Sequence, residues 1–154
     1  MREIKFRAWE KENKEMITDF WIDSKDGECF GKYSDEAKPN WILMQYTGLT
    51  DKNGKEIYFD DIVKFSFHDH DDPMENYEGT AVIAETMNSG VGLLFDWDNN
   101  DAGSNKTFAV IEGGQINDYW DDEDLWDIEV VGNIYENPEL ITKEEIYKYF
   151  TGLN

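Results

Sequence analysis

The chain is poor in the residues that most extracellular and catalytic scaffolds rely on. It has one cysteine, Cys29, two histidines and 14 lysines plus arginines in 154 residues. A single cysteine excludes an intramolecular disulfide. Two histidines leave few partners for a serine or cysteine nucleophile. There is no apolar leader and no 18-residue apolar run, so secretion and membrane spanning by the usual routes are not expected, and a cytoplasmic location is. Bases are scarcest between Phe65 and Glu136, where Lys106 stands alone against 18 acids. Direct nucleic-acid binding, which needs cationic contacts to phosphates, is not expected, nor is binding to anionic membranes.

What is present argues for a folded core. Hydrophobic residues make up 40% of the chain and aromatics 15%, too much for disorder despite the charge. The length suits one domain, or a small domain with an extension. Thirty-five aspartates and glutamates give a net charge of −21. From Met1 to Lys64 there are 11 bases and 14 acids, from Phe65 to Glu136 one and 18, and from Asn137 onward two and three. The middle segment therefore carries −17. Solubility through mutual repulsion is the plain account; an acidic docking face is the sharper one. Duplex DNA carries one charge per about 1.7 Å, so 17 charges match about 29 Å of duplex. A folded unit of roughly 70 residues has a similar diameter, which makes DNA mimicry in a counter-defence role a concrete form of that reading.

Hydrophobic periodicity predicts a mainly β protein, α+β overall. Arg2 to Trp9 alternates as a half-buried strand, Lys11 to Lys14 forms a turn, and Met16–Ile17 starts a return strand. Thr18 to Asn40 is predicted to be an irregular excursion, and Trp41 to Tyr46 a strand. Asn53-Gly54 predicts a two-residue type I′ hairpin turn, with Leu49 and Ile57 pointing inward on either side. In the strand that follows, Val63, Phe65 and Phe67 alternate with Ile62, Lys64 and Ser66, so one face is apolar. Strands over Thr80–Thr86, Val91–Trp97, Lys106–Ile111 and Trp126–Val131 complete a barrel or sandwich. Asn137-Pro138 and the capping-box pattern Thr142 to Glu145 predict a short C-terminal helix. Its stripe of Ile146, Tyr149 and Phe150 must dock on the barrel or on a second subunit.

Three segments, REIKFRAWEKENKEM, LMQYTGLTDKNGKEIYFDDIVKF and WDIEVVGNIYENPEL, resemble the YopX family of bacteriophages and of prophages in Gram-positive bacteria. The resemblance covers both ends and the middle of the chain, in order. It implies an SH3-like β-barrel for the C-terminal part and assembly into homo-oligomers, for which the helix stripe of Ile146, Tyr149 and Phe150 offers candidate contacts. It supplies no activity and no catalytic residue. The expected division is 1–48 as an N-terminal β-containing extension and 49–154 as the SH3-like barrel domain with its helix. Where the family commonly reads Tyr-Glu-Gly-Asp after the hairpin, this chain has Tyr58-Phe59-Asp60-Asp61. Asp60 must then adopt the backbone geometry of a glycine, and aspartate tolerates the left-handed region better than most residues.

Each candidate for chemistry has a plainer reading beside it. In an extended segment His68 and His70 project to one side, and with Asp72 they offer three metal ligands, as a metal-dependent hydrolase would need. The plainer reading is a solvated loop between strands. Asp96-x-Asp98-x-Asn100 opens like a calcium loop, but Asp101 and Thr107 stand where the turn glycine and bidentate glutamate belong. Cys29 has no neighbouring base, and the glycines lack phosphate-loop spacing. No cofactor is expected and no enzyme. Trp120 with Asp121, Asp122, Glu123 and Asp124 combines contact area with steering charge, as an interface for a basic partner would. The expectation is a phage-encoded, non-enzymatic, oligomeric interaction protein whose acidic surface docks a basic host or phage protein. The other classes are the hydrolase and a small-ligand binder at a subunit interface.

Overall fold

The computed structural model describes residues 3–68, 76–85, 90–97, 105–112, 115–117 and 125–141. The chain divides into two compact units, residues 1–46 and 47–154. Among the described residues the regular secondary structure is strand, apart from a single 3-10 turn.

In the first unit, β1 (Phe6–Glu10) and β2 (Glu15–Ile17) form a hairpin, with Ala8 opposite Ile17. The Glu10 carboxylate accepts the N–H groups of Glu12 and Asn13 at 2.8 and 2.7 Å, and Lys14 closes the turn at φ 55°. These bonds favour the ionised form and hold the Glu10 carboxyl below its ordinary range. The strand expected from Arg2 begins later, at Phe6, whose partner is Gln45 on β5 (Trp41–Thr50). Ile4 lies 78% exposed ahead of it. Ala8, Trp9, Met44 and Tyr46 are the buried apolar residues of this layer.

Thr18 to Asn40 is more regular than its sequence implies, because it holds a ribbon of β3 (Phe20–Ile22) and β4 (Cys29–Gly31). Gly27 at φ 73° donates to the Asp23 carbonyl, and Asp23 Oδ1 accepts from Lys25 N, so the turn is made by local bonds without any apolar periodicity. Trp21 stacks on its cross-strand partner Phe30 at 4.1 Å and 7°. Phe20 meets Trp41 edge-on at 5.9 Å.

The second unit opens on the last residues of β5 and on β6 (Glu56–Tyr58). It continues through β7 (Asp61–His68), β8 (Asn76–Glu85), β9 (Val91–Trp97), β10 (Asn105–Glu112), β11 (Gln115–Asn117) and β12 (Leu125–Asn133). The six last strands form one antiparallel sheet in the order β11-β10-β9-β8-β7-β12. Its end strands β11 and β12 approach each other, so the sheet curls. Strand β8 starts at Asn76, earlier than its apolar residues suggest, since it follows β7 to the pair His68↔Asn76.

Strand β7 is buried differently along its length. Val63 and Phe65 join Ile57, Ala81, Ile83, Val91, Leu93 and Val130 in the main core, with Leu49, Phe59 and Ile128 packed on it. Ile62, on the opposite face, is fully buried with Val82 and Ile134 beneath Val131, Tyr135, Leu140 and Ile141. Val130 and Val131 go to different clusters by the ordinary alternation of a strand, and Val131 is the extra residue of a bulge, since the register on β7 shifts between Val130 and Gly132. Phe65 lies opposite Gly79, and a Cβ there would come within 2.9 Å of its ring, so the ring fills the place of the missing side chain.

The hairpin turn at Asn53-Gly54 is not the expected two-residue type. Gly54 is left-handed at φ 78° and Asn53 is not, and Gly54 N donates to the Asp51 carbonyl at 2.9 Å. The loop therefore has three residues ending in a left-handed glycine, the next commonest hairpin solution. The reason is Asp51, whose Oδ1 accepts from both Asn53 N and Lys55 N and draws the loop around itself. At the C-terminal end, Pro138–Leu140 is a single 3-10 turn, and Asn137 makes no side-chain cap to it. The helix expected from Thr142, with Ile146, Tyr149 and Phe150, lies outside the described residues.

Candidate functional site

Two constellations stand out in the second unit, one buried and one open. The buried one ties the hairpin to β12. Besides its two turn bonds, Asp51 reaches Val130 N with Oδ2 at 2.9 Å, across 79 residues of sequence. Lys52 N adds a bond to the Ile128 carbonyl at 3.0 Å. Burial raises the Asp51 pKa, but the N–H donors of Val130, Lys55 and Asn53 outweigh it, and the carboxyl sits below its ordinary range.

The same tie is repeated a few residues on. Asp60 takes the left-handed backbone at φ 69°. Its N–H donates to Ile83 O, its carbonyl accepts Ile134 N, and its Oδ2 accepts the Tyr135 hydroxyl at 3.0 Å. The Asp61 carboxylate, fully buried, accepts Tyr58 N at 2.8 Å. Asn133 is buried too, its Oδ1 accepting from Tyr135 N and Glu136 N and its Nδ2 donating to Glu136. These groups are bonded to backbone or to one another, and among the described residues none belongs to a group of three placed to hold a metal. The work of the constellation is to hold the chain.

The open constellation is a groove of about 380 Å³ on the solvent face of β12, β7 and β8. Lys64 is opposite both Glu129 and Thr80 in register, and Ser66 is opposite Asp127, so the five side chains share one face. Lys52, from the hairpin loop, leans over them and pairs with Glu129 at 3.4 Å, both side chains nearly half exposed. Phe65 and Gly79 complete the lining. Carboxylates, ammonium groups and hydroxyls are thus interleaved, an arrangement suited to charged and hydrogen-bonding ligands.

Of the candidates read from sequence, His68 ends β7, opposite Asn76 and Leu125. His70 and Asp72 lie outside the described residues, as do Trp120, Asp121, Asp122, Glu123 and Asp124. Asp96 falls in β9, while Asp98, Asn100 and Asp101 are outside. Among the described residues no group of three His, Cys, Asp or Glu side chains is placed to hold a metal. Cys29 is buried, which pushes its thiol pKa up and away from reactivity. The groove was missed from sequence; its signal was the polar side of two strands, Lys64 and Ser66 on one, Asp127 and Glu129 on the other.

The family profile described as YopX protein matches residues 5–142. The chain belongs to the YopX family. A solved structure, described as the crystal structure of protein EF1440 from Enterococcus faecalis, is similar at 28% identity over 92% of this chain and 99% of that one, with a TM-score of 0.43. Among curated proteins none matches. Two of the segments that carried the YopX resemblance, Leu43–Phe65 and Trp126–Leu140, meet in the Asp51–Val130 and Asp60–Tyr135 bonds and in the β7–β12 ladder. In this chain those two segments hold the hairpin, the bulge and the turn after β12 together.

Proposed function

We propose that this YopX protein is a phage-encoded, non-enzymatic, oligomeric interaction protein of the host cytoplasm. Its second unit is read as an SH3-like barrel ending in a short helix, and its acidic surface docks a basic host or phage protein. The barrel reading is supported by the curl that brings β11 and β12 together. The docking reading rests on the partition of charge between the two units. Residues 1–46 hold eight bases and ten acids, and residues 47–154 hold six bases and 25 acids. A net −19 against −2 concentrates negative charge in the second unit, which raises the local concentration and association rate of a cationic partner.

Salt separates this reading from a merely solvated surface. Like charges held together without counter-charges repel, and screening at about 10 Å in 0.1 M salt and about 3 Å in 1 M relieves that repulsion. Added NaCl is expected to raise the melting temperature of the free protein and to weaken its hold on a partner recovered from host lysate. A complex whose affinity does not change with NaCl would remove the electrostatic reading.

A further inference from the structure

We infer that the groove on β12, β7 and β8 receives an arginine side chain of the basic partner. The inference rests on the docking reading above and gives it a place. Within the groove the acceptors are the carboxylates of Asp127 and Glu129 and the hydroxyls of Ser66 and Thr80. A guanidinium carries five N–H donors in a fixed fork and no acceptor, so an acceptor set of two carboxylates and two hydroxyls matches it better than it matches the single point charge of lysine. Asp127 is solvent-exposed on β12, opposite Ser66. Its short side chain stands on a strand and cannot retreat far from the groove.

The two lysines in the lining do not favour an anion instead. Each ammonium rides on a flexible four-carbon stem and can swing into solvent. Six bases in residues 47–154 face 25 acids, so an approaching anion is repelled before it reaches them. Lys52 acts as a resident cation: it pairs with Glu129 at 3.4 Å and is displaced when the guanidinium enters. The groove lies on the face of the sheet, where the side chains of β12, β7 and β8 project, so recognition within it is by side chains.

The test uses the full chain and two end-blocked probes, tetra-arginine and tetra-lysine, titrated calorimetrically at low ionic strength. Tetra-arginine is expected to bind several-fold more tightly than tetra-lysine. The pair Asp127→Asn and Glu129→Gln should lose roughly tenfold in affinity, about 1.4 kcal/mol, and Lys52→Ala should gain affinity because the competing cation is gone. The opposite signs of these two variants cannot both arise from a damaged fold. Equal binding of the two probes, or an unchanged affinity in the Asp127 and Glu129 pair, overturns the groove. If that pair binds normally while neutralising Asp121, Asp122, Glu123 and Asp124 abolishes binding, docking stands and only the groove fails. If tetra-arginine does not bind the unaltered protein, both fail.

Discussion

Removing the Asp51 carboxylate should unlock the hairpin from β12, and the cost can be worked from its three bonds. In Asp51→Ala the N–H groups of Asn53 and Lys55 sit in an exposed turn, where water takes over as acceptor and each loss is small. Val130 N is different, because Val130 is only 8% exposed and its N–H is left with no acceptor beside the bulge. An unsatisfied buried donor costs about 1–3 kcal/mol, and a net bond to a charged group is worth about 1.5–3. The expected total is roughly 2–4 kcal/mol. Asp51→Asn should fall between, since one oxygen keeps the turn while the amide nitrogen meets the Val130 donor. Urea denaturation reads this as a midpoint shift of about 1–2 M, with a slope near 2 kcal/mol per M unchanged. The folded carboxyl is shifted below its unfolded pKa of about 3.9. Its contribution is therefore complete above that value and lost as pH falls through the folded value, a slope the Asn variant should lack. An Asp51→Ala protein within about 0.5 kcal/mol of the parent would refute the tie.

Other outcomes follow from the same geometry. A Cβ at Gly132 would run into the Asn137 carboxamide, so Gly132→Ala should cost about 1–3 kcal/mol, and adding Asn137→Ala should recover part of it in a double-mutant cycle. Asp60→Gly relieves the left-handed backbone while losing the Tyr135 bond, and should change stability by less than about 1 kcal/mol; Asp60→Val keeps the strain, loses the bond and should cost clearly more. Light scattering at micromolar protein should give a mass above the 18.0 kDa of one chain, falling when 143–154 is deleted; a monomer at every concentration would remove the oligomer.

Strand alternation makes much of this fold legible in the sequence. Val63 and Phe65 against Lys64, and Ile128 and Val130 against Asp127 and Glu129, mark inside and outside by chemistry alone. The same reading could not place Ile62, because its cover comes from Ile134 and the turn beyond, some 70 residues away, and periodicity carries no information about distant partners. It mistook the turn at Asn53-Gly54 for the same reason of scale: a dipeptide preference of a few tenths of a kcal/mol yields to Asp51, which makes three charge-assisted bonds. The ribbon of β3 and β4 was hidden by its polar turn, whose stability is local and whose strands are three residues long. The groove needed the register, since Lys64, Thr80 and Glu129 become neighbours only when β7 is set between β8 and β12.

Association kinetics of the neutralised protein test the docking claim most directly. With Asp121, Asp122, Glu123 and Asp124 replaced by Asn or Gln, the fold should persist by thermal melt, while stopped-flow association with the basic partner slows and its rate loses much of its dependence on NaCl. Capture of the same partner at the same rate, with the same salt dependence, would contradict the account and leave the acidic run as a solvated surface.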